Sequence, residues 1–304
     1  DVLARFDSRL PEAPKDEIPV LRLREGGADT SIPLLNSVMG YAESEGELRH
    51  FGFRQVVPTE VVMTHFPEAL RSFASDGHNW RQMDSDLRVD IKAIRKLRSL
   101  LADDKSKRLL DTLVAFRLDP RLENYPWPDR RRWYFPQDVP MYRHERRLNV
   151  VDCGAFDGDT LRSFFEVFPK RMGHYLAVEP DIQTANLLAE WVETNVKQRS
   201  YESPAVRIVN SVVSDHSGFV LFEGSGSAGR VIDAHSGERS DMSKRVKCAT
   251  IDELRGDVDW NILKMDIEGS ELAALRGAQS LVEELRPELA ISVYHRPDDP
   301  WRVP

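Results

Sequence analysis

The chain has little cysteine: Cys153 and Cys248 are the only two in 304 residues. A disulfide framework is thereby excluded, and a reducing, cytoplasmic setting is expected. Long apolar runs are missing as well. None approaches the roughly 18 residues that a membrane-spanning helix needs, so no membrane span is expected. No secretory leader is read at the start, although the chain opens at Asp1 rather than Met, which leaves a removed leader open. Basic charge is scarce in the second half. Residues 148–304 carry 17 Lys and Arg against 26 Asp and Glu, whereas residues 1–147 carry 25 against 24. Nucleic acid asks for the opposite sign along one face, so a DNA or RNA substrate is not expected.

The residues present suffice for a core, with 41% apolar and 9% aromatic. The length suits one domain of about 200 residues and a smaller one. Residues 1–88 hold prolines at 11, 14, 19 and 33 and Gly26-Gly27. They read as an accessory or cap region of unassigned fold, in which 34–39 and 56–63 are apolar enough for short strands or a helix. Residues 89–304 read as the main domain, with its sheet starting near residue 147. Lys92 to Arg98 lies on a helix whose apolar positions are Ile91, Ile94, Leu97 and Leu101, and reads as a solvated face. Arg130-Arg131-Arg132, between Trp127 and Trp133, either packs over a sheet edge or docks a phosphate or acidic sugar.

Asn149 to Thr160 is the most informative stretch. Leu148, Val150 and Val151 form the apolar run of a buried parallel strand, Gly154 and Gly158 allow backbone to approach a ligand, and Asp159-Thr160 opens a helix. The turn is not GxGxxG, and Asp152 at its strand end would repel a pyrophosphate. It suits a cationic ligand such as S-adenosylmethionine, which carries an ammonium and a sulfonium. Glu179 ends the next apolar run, 27 residues after Asp152. An acid there, at the end of the second strand of a doubly wound sheet, accepts hydrogen bonds from ribose hydroxyls.

Further strands are expected over 206–213, 261–266 and 289–295, with helices over 182–196 and 270–285 between them. This alternation predicts an α/β fold: a doubly wound, mostly parallel sheet with helices on both faces and a ligand at the carboxyl ends of the strands. Asp152, Glu179, Asn210, Asp266 and His295 fall at those ends.

Val151 to Thr160, Val178-Glu179-Pro180, Lys264 to Glu271 and Val293 to Pro297 together resemble the FkbM family of S-adenosylmethionine-dependent methyltransferases. Ala102 to Leu118 and Trp133-Tyr134-Phe135-Pro136 resemble the segments that precede that family's core, so the likeness covers roughly residues 95 to 304. It implies a class I, Rossmann-like methyltransferase fold and methylation of a hydroxyl on a sugar, polysaccharide or polyketide product. Family members continue into closing strands beyond the region of Trp301, whereas this chain stops at Pro304. Donor contacts are expected from Asp152, Gly154, Phe156, Gly158, Asp159, Thr160 and Glu179, with Asn210 and Ser211 beside adenine.

Methyl transfer to an alcohol needs an aligned acceptor, exclusion of water and removal of a proton. His295 is expected as general base, since histidine titrates near neutrality when unperturbed. Asp266 and Lys264, on one face of the fourth strand, are expected to orient the acceptor; a structural ion pair is the competing reading of Lys264. Asp266, Glu268 and His295 could hold a divalent ion, but their spacing is no recognised metal signature, and no metal is assigned. Two rival functions keep the same sheet: a nicotinamide-dependent oxidoreductase, and a non-catalytic module that binds S-adenosylmethionine. The oligomeric state is left open.

Overall fold

The computed structural model describes residues 5–6, 20–21, 34–35, 49, 52–57, 89–119, 122–126, 134–136, 139, 141–142, 146–196, 204–224, 229–232, 243–296 and 298–304. Arg130 to Arg132 and their flanking Trp127 and Trp133 lie outside the described residues, as do 36–39 and 58–63 of the apolar groups noted above. The chain forms two compact units, one of residues 1–76 with 111–133, the other of residues 77–110 with 134–304. In the first, β1 (Arg5–Phe6) pairs in parallel with β2 (Val20–Leu21), and β3 (Leu34–Leu35) with β4 (Val56–Val57).

Helices α1 (Ile91–Leu100) and α2 (Asp104–Leu118) come next in the chain. The Asp90 side chain caps α1 by accepting from the Ala93 N–H, and Lys92, Arg95, Lys96 and Arg98 are exposed, as a solvated face requires.

Five strands build the main sheet: β5 (Leu148–Cys153), β6 (Met172–Val178), β7 (Ala205–Val209), β12 (Ile262–Met265) and β13 (Glu288–Ile291). Their order is β13-β12-β5-β6-β7, and every neighbouring pair is parallel. Strand order therefore reverses between β5 and β12, and in sheets of this kind the carboxyl ends at such a reversal are where ligands bind. The period of two sends successive residues to opposite faces. Val150, Tyr175, Ala177 and Ile262 pack with Leu161 and Phe164 of α3 (Asp159–Val167) and Leu188 and Val192 of α4 (Ile182–Asn195). Val151, Leu176, Val178, Leu263 and Met265 pack with Ile251 of α5 (Ile251–Leu254), Ala274 of α6 (Glu271–Arg276) and Leu281 of α7 (Gln279–Leu285). Both faces are covered, as the alternation predicts.

Three boundaries differ from the sequence reading. The expected strand over 206–213 breaks at Asn210-Ser211, and its end becomes β8 (Val212–Val213) of a second sheet with β9 (Gly218–Glu223), β10 (Arg230–Ile232) and β11 (Lys244–Ala249). The expected helix over 270–285 is two helices. A Cβ on Gly277 would stand 2.0 Å from the Ser214 carbonyl oxygen, so the chain turns there to let that backbone pass. The fifth strand ends at Ile291 rather than His295. Past Ser292, whose N–H donates to Met265 O at 2.8 Å, the backbone leaves the ladder.

Asp181 starts α4: its Oδ1 accepts from the Gln183 and Thr184 N–H groups at 2.9 and 3.1 Å, and Lys244 Nζ lies 3.3 Å from Oδ2. Burial pushes this carboxyl up, but the Thr184 N–H and Lys244 outweigh it and hold the group below the usual carboxylate range. A depressed folded-state pKa contributes stability above the unfolded value, lost as pH falls through the folded one. Asp181→Ala is expected to cost about 1–2 kcal/mol near pH 7. Urea unfolding of variant and parent should show that gap narrowing below about pH 4.

Candidate functional site

Asp152 and Lys264 are direct neighbours across β5 and β12, so both side chains leave the same face at the point of reversal. Both are buried, with Lys264 Nζ 2.9 Å from Asp152 Oδ1 and donating to the Gly154 carbonyl at 2.7 Å. The Tyr175 hydroxyl donates to Asp152 Oδ2 at 2.5 Å. Burial alone would lower the Lys264 pKa, but the adjacent Asp152 carboxylate raises it above the ordinary lysine range and keeps the ammonium charged. Asp152 therefore has no exposed surface and a neutralised charge. The acid expected to face a cationic ligand lies instead beneath the turn.

The turn is held from two sides. Gly154 has φ +74°, and a Cβ there would lie 2.0 Å from the Asp266 carbonyl oxygen, so glycine alone fits. The Asp266 N–H donates to Cys153 O at 3.1 Å, joining the turn to the end of β12. Phe156, also left-handed at φ 47°, donates its N–H to Glu179 Oε2 at 2.9 Å, while Glu179 Oε1 accepts from the Asp181 N–H at 2.8 Å. Burial raises the Glu179 pKa, and those two N–H groups oppose it. Gly158 caps α3, Asp159 is exposed, and its Oδ1 accepts from the N–H of buried Thr160 at 2.7 Å.

Asn210 donates to the Glu179 and Pro180 carbonyls at 2.9 and 3.0 Å, which keeps it at this edge. Ser211 is turned elsewhere: its hydroxyl lies 3.0 and 3.2 Å from the Val212 and Lys247 carbonyls.

His295 is buried among three carboxylates: Nε2 lies 3.2 Å from Asp266 Oδ1 and 3.5 Å from Glu268 Oε1, and Nδ1 lies 2.8 Å from Glu271 Oε1. Burial would lower its pKa, but Asp266, Glu268 and Glu271 push it up to about 11. The expectation of a base that titrates near neutrality is corrected by these neighbours, because a ring held protonated takes no further proton. Asp266, half-buried, accepts from the Tyr294 hydroxyl at 3.1 Å.

Sequence reasoning missed three members of this edge. Glu271 stands in the quoted Lys264–Glu271 stretch, and one helical turn after Ile267 its Oε1 accepts that residue's N–H at 3.0 Å. Tyr175 is a tyrosine in an aliphatic buried strand, a position where the hydroxyl requires a partner. Tyr134 lies with its ring centroid 5.9 Å from Lys264 Nζ, and burial is the main cause that pushes its hydroxyl up to about 12.

Removing Lys264 leaves the Asp152 charge buried without its partner, which costs about 3–5 kcal/mol. Lys264→Ala is therefore expected to lose stability on that scale by chemical unfolding, and adding Asp152→Asn should restore part of it. A lysine that only oriented an acceptor would leave the unfolding midpoint where it is.

Residues 152–302 match the family model of the methyltransferase FkbM domain. The structure is similar to the crystal structure of methyltransferase FkbM from Methylobacillus flagellatus KT, with TM-score 0.53 and 25% identity, over 87% of this chain and 64% of that one. This chain thus spans just under two thirds of that protein's length. No curated protein matches it. The parallel sheet with its reversal beside a glycine turn, and the family match that begins at Asp152, together identify residues 152–302 as an FkbM methyltransferase domain.

Proposed function

We propose that this domain transfers a methyl group from S-adenosylmethionine to a hydroxyl of a sugar, polysaccharide or glycosylated natural product. The observation that carries the donor half is the Glu179 carboxylate drawn under the turn at Phe156. Each of its oxygens has two lone pairs and accepts one backbone N–H, so each retains a position for a ribose hydroxyl. In this reading the donor lies along Gly154, Phe156, Gly158 and Asp159, with Glu179 on the ribose and Asn210 near adenine; Asp152 and Thr160, without exposed surface, support the turn from beneath, and Ser211 is the weakest of these assignments because its hydroxyl meets backbone.

The acceptor half rests on Asp266. Its side chain is 26% exposed, against 3% for Lys264 and His295 and 1% for Glu271; Glu268, 38% exposed, is the other acid open at this edge, and Asp266 is the one at the end of β12 beside the glycine turn. The hydroxyl oxygen attacks the methyl carbon in line, and its C–O bond forms as the C–S bond breaks. Asp266 orients that hydroxyl by a hydrogen bond, and its carboxylate takes the hydroxyl proton and passes it to solvent. Lys264 acts from below by holding Asp152 and the Gly154 carbonyl. His295 is a positioning residue behind Asp266. Asp266 and Glu268, the acids open at this edge, favour a sulfonium donor over the pyrophosphate of a nicotinamide cofactor, and the family match favours a methyltransferase over a non-catalytic module.

Calorimetric titration with S-adenosylmethionine, S-adenosylhomocysteine and NAD tests the donor. The first two are expected to bind, and Glu179→Ala should weaken them by about 1.5–3 kcal/mol, the scale for hydrogen bonds to a charged group. Binding of NAD alone, or unchanged donor affinity in a folded Glu179→Ala protein, would refute the assignment. Methyl-labelled donor incubated with fractionated glycans, lipids, proteins and nucleic acids tests the acceptor; label confined to protein or nucleic acid overturns it.

A further inference from the structure

The cluster around His295 has more negative charge than its own residues neutralise. Asp266, Glu268 and Glu271 all lie within 3.5 Å of the imidazole, so even a protonated ring leaves two charges in excess. Lys264 is engaged with Asp152, and Arg296, whose side chain passes over Gly269, is exposed. Glu271 is 1% exposed and His295 3%. Excess charge at that depth is costly unless a cation joins it.

Hydrogen bonding is incomplete in the same place. Both ring nitrogens of His295 and the Oε2 of Glu271 are buried without an aligned hydrogen-bond partner, despite the short distances to neighbouring oxygens. Three such atoms in one cluster indicate a missing ion or water. Asp266, Glu271 and His295 each offer a ligand atom, and those atoms all lie within 4.8 Å of one another. Metal–ligand distances of about 2.0–2.2 Å put two ligand atoms at most about 4.4 Å apart, so the cluster must draw in slightly around an ion. Glu268 Oε1, on the Nε2 side of the ring together with Asp266, supplies a further oxygen.

We propose that Asp266, Glu271 and His295 bind one divalent first-row transition cation, with Mn2+ or Zn2+ as the fitting ions. The imidazole nitrogen is the reason for this class, because Mg2+ and Ca2+ prefer oxygen ligands alone; the ion takes the place of the proton that the ring otherwise holds, and that proton leaves to solvent. Asp266 is partly exposed, so the ion would sit where the buried cluster meets the carboxyl edge of the sheet. The site stands on the cluster's own geometry and does not depend on the identity of the methyl acceptor.

The test uses the whole chain, stripped with chelator and dialysed. Mn2+ is titrated while free Mn2+ is followed by its paramagnetic resonance signal, and bound Zn2+ is counted by elemental analysis after gel filtration. One ion per chain is expected, with a raised thermal midpoint and Mg2+ competing only at much higher concentration. Glu271→Gln and His295→Gln should each weaken Mn2+ binding at least about tenfold. If those buried substitutions disturb folding, Asp266→Asn, at the more open ligand, should show the same loss with its circular dichroism unchanged. The proposal is overturned if the folded parent binds neither ion saturably, if Asp266→Asn binds Mn2+ as tightly as the parent, or if Mg2+ binds equally well.

Discussion

Lys264 and Asp152 face each other across the two strands at which the sheet order reverses, and the carboxyl edge is arranged around that contact. A buried ammonium and carboxylate are tolerated only when they meet each other and further hydrogen bonds complete their shells. Here the Tyr175 hydroxyl donates to the carboxylate's Oδ2, and the Gly154 carbonyl accepts from the ammonium. The second of these ties an electrostatic requirement to the path of the main chain. The glycine turn is thus held by a charge from the neighbouring strand as well as by its own φ of +74°.

Charge is divided cleanly along this edge. On the β5 side the strand-end acid, Asp152, is neutralised and sealed. On the β12 side three acids converge on one imidazole, and the excess remains. Glu179 belongs to neither group: its oxygens accept from Phe156 and Asp181, linking the glycine turn to the start of α4. One side chain thereby couples the glycine turn to the helix that covers the first strands.

The second sheet gives the opposite end of this arrangement its support. Its β8 follows β7 after two residues, so the chain passes from one sheet into the other at Asn210-Ser211. Asn210 bonds back to the Glu179 and Pro180 carbonyls, while Ser211 bonds forward into the new sheet. The Ser214 carbonyl that follows lies close against Gly277, which divides α6 from α7. A helix break and a sheet switch some sixty residues apart in the chain are therefore one packing contact.

Much of the fold was legible in the sequence because it depends on local periodicity. Leu148 to Cys153, Met172 to Val178 and Ile182 to Asn195 form the expected elements, since apolar runs bounded by glycine, proline or a capping aspartate leave few alternatives. The turn at Gly154 and the acid at Glu179 were legible for the same reason: both are strand ends at fixed offsets. The second sheet was less so, because Val212-Val213 resumes the apolar pattern after only Asn210-Ser211 and so reads as the same strand. What only tertiary structure decided is the charge state and exposure of the polar residues. Asp152 is buried by a lysine more than a hundred residues away, and His295 is held protonated by acids at 266, 268 and 271. A residue's type and strand position follow from the chain; the field acting on it comes from whichever distant side chains the fold brings within a few ångströms.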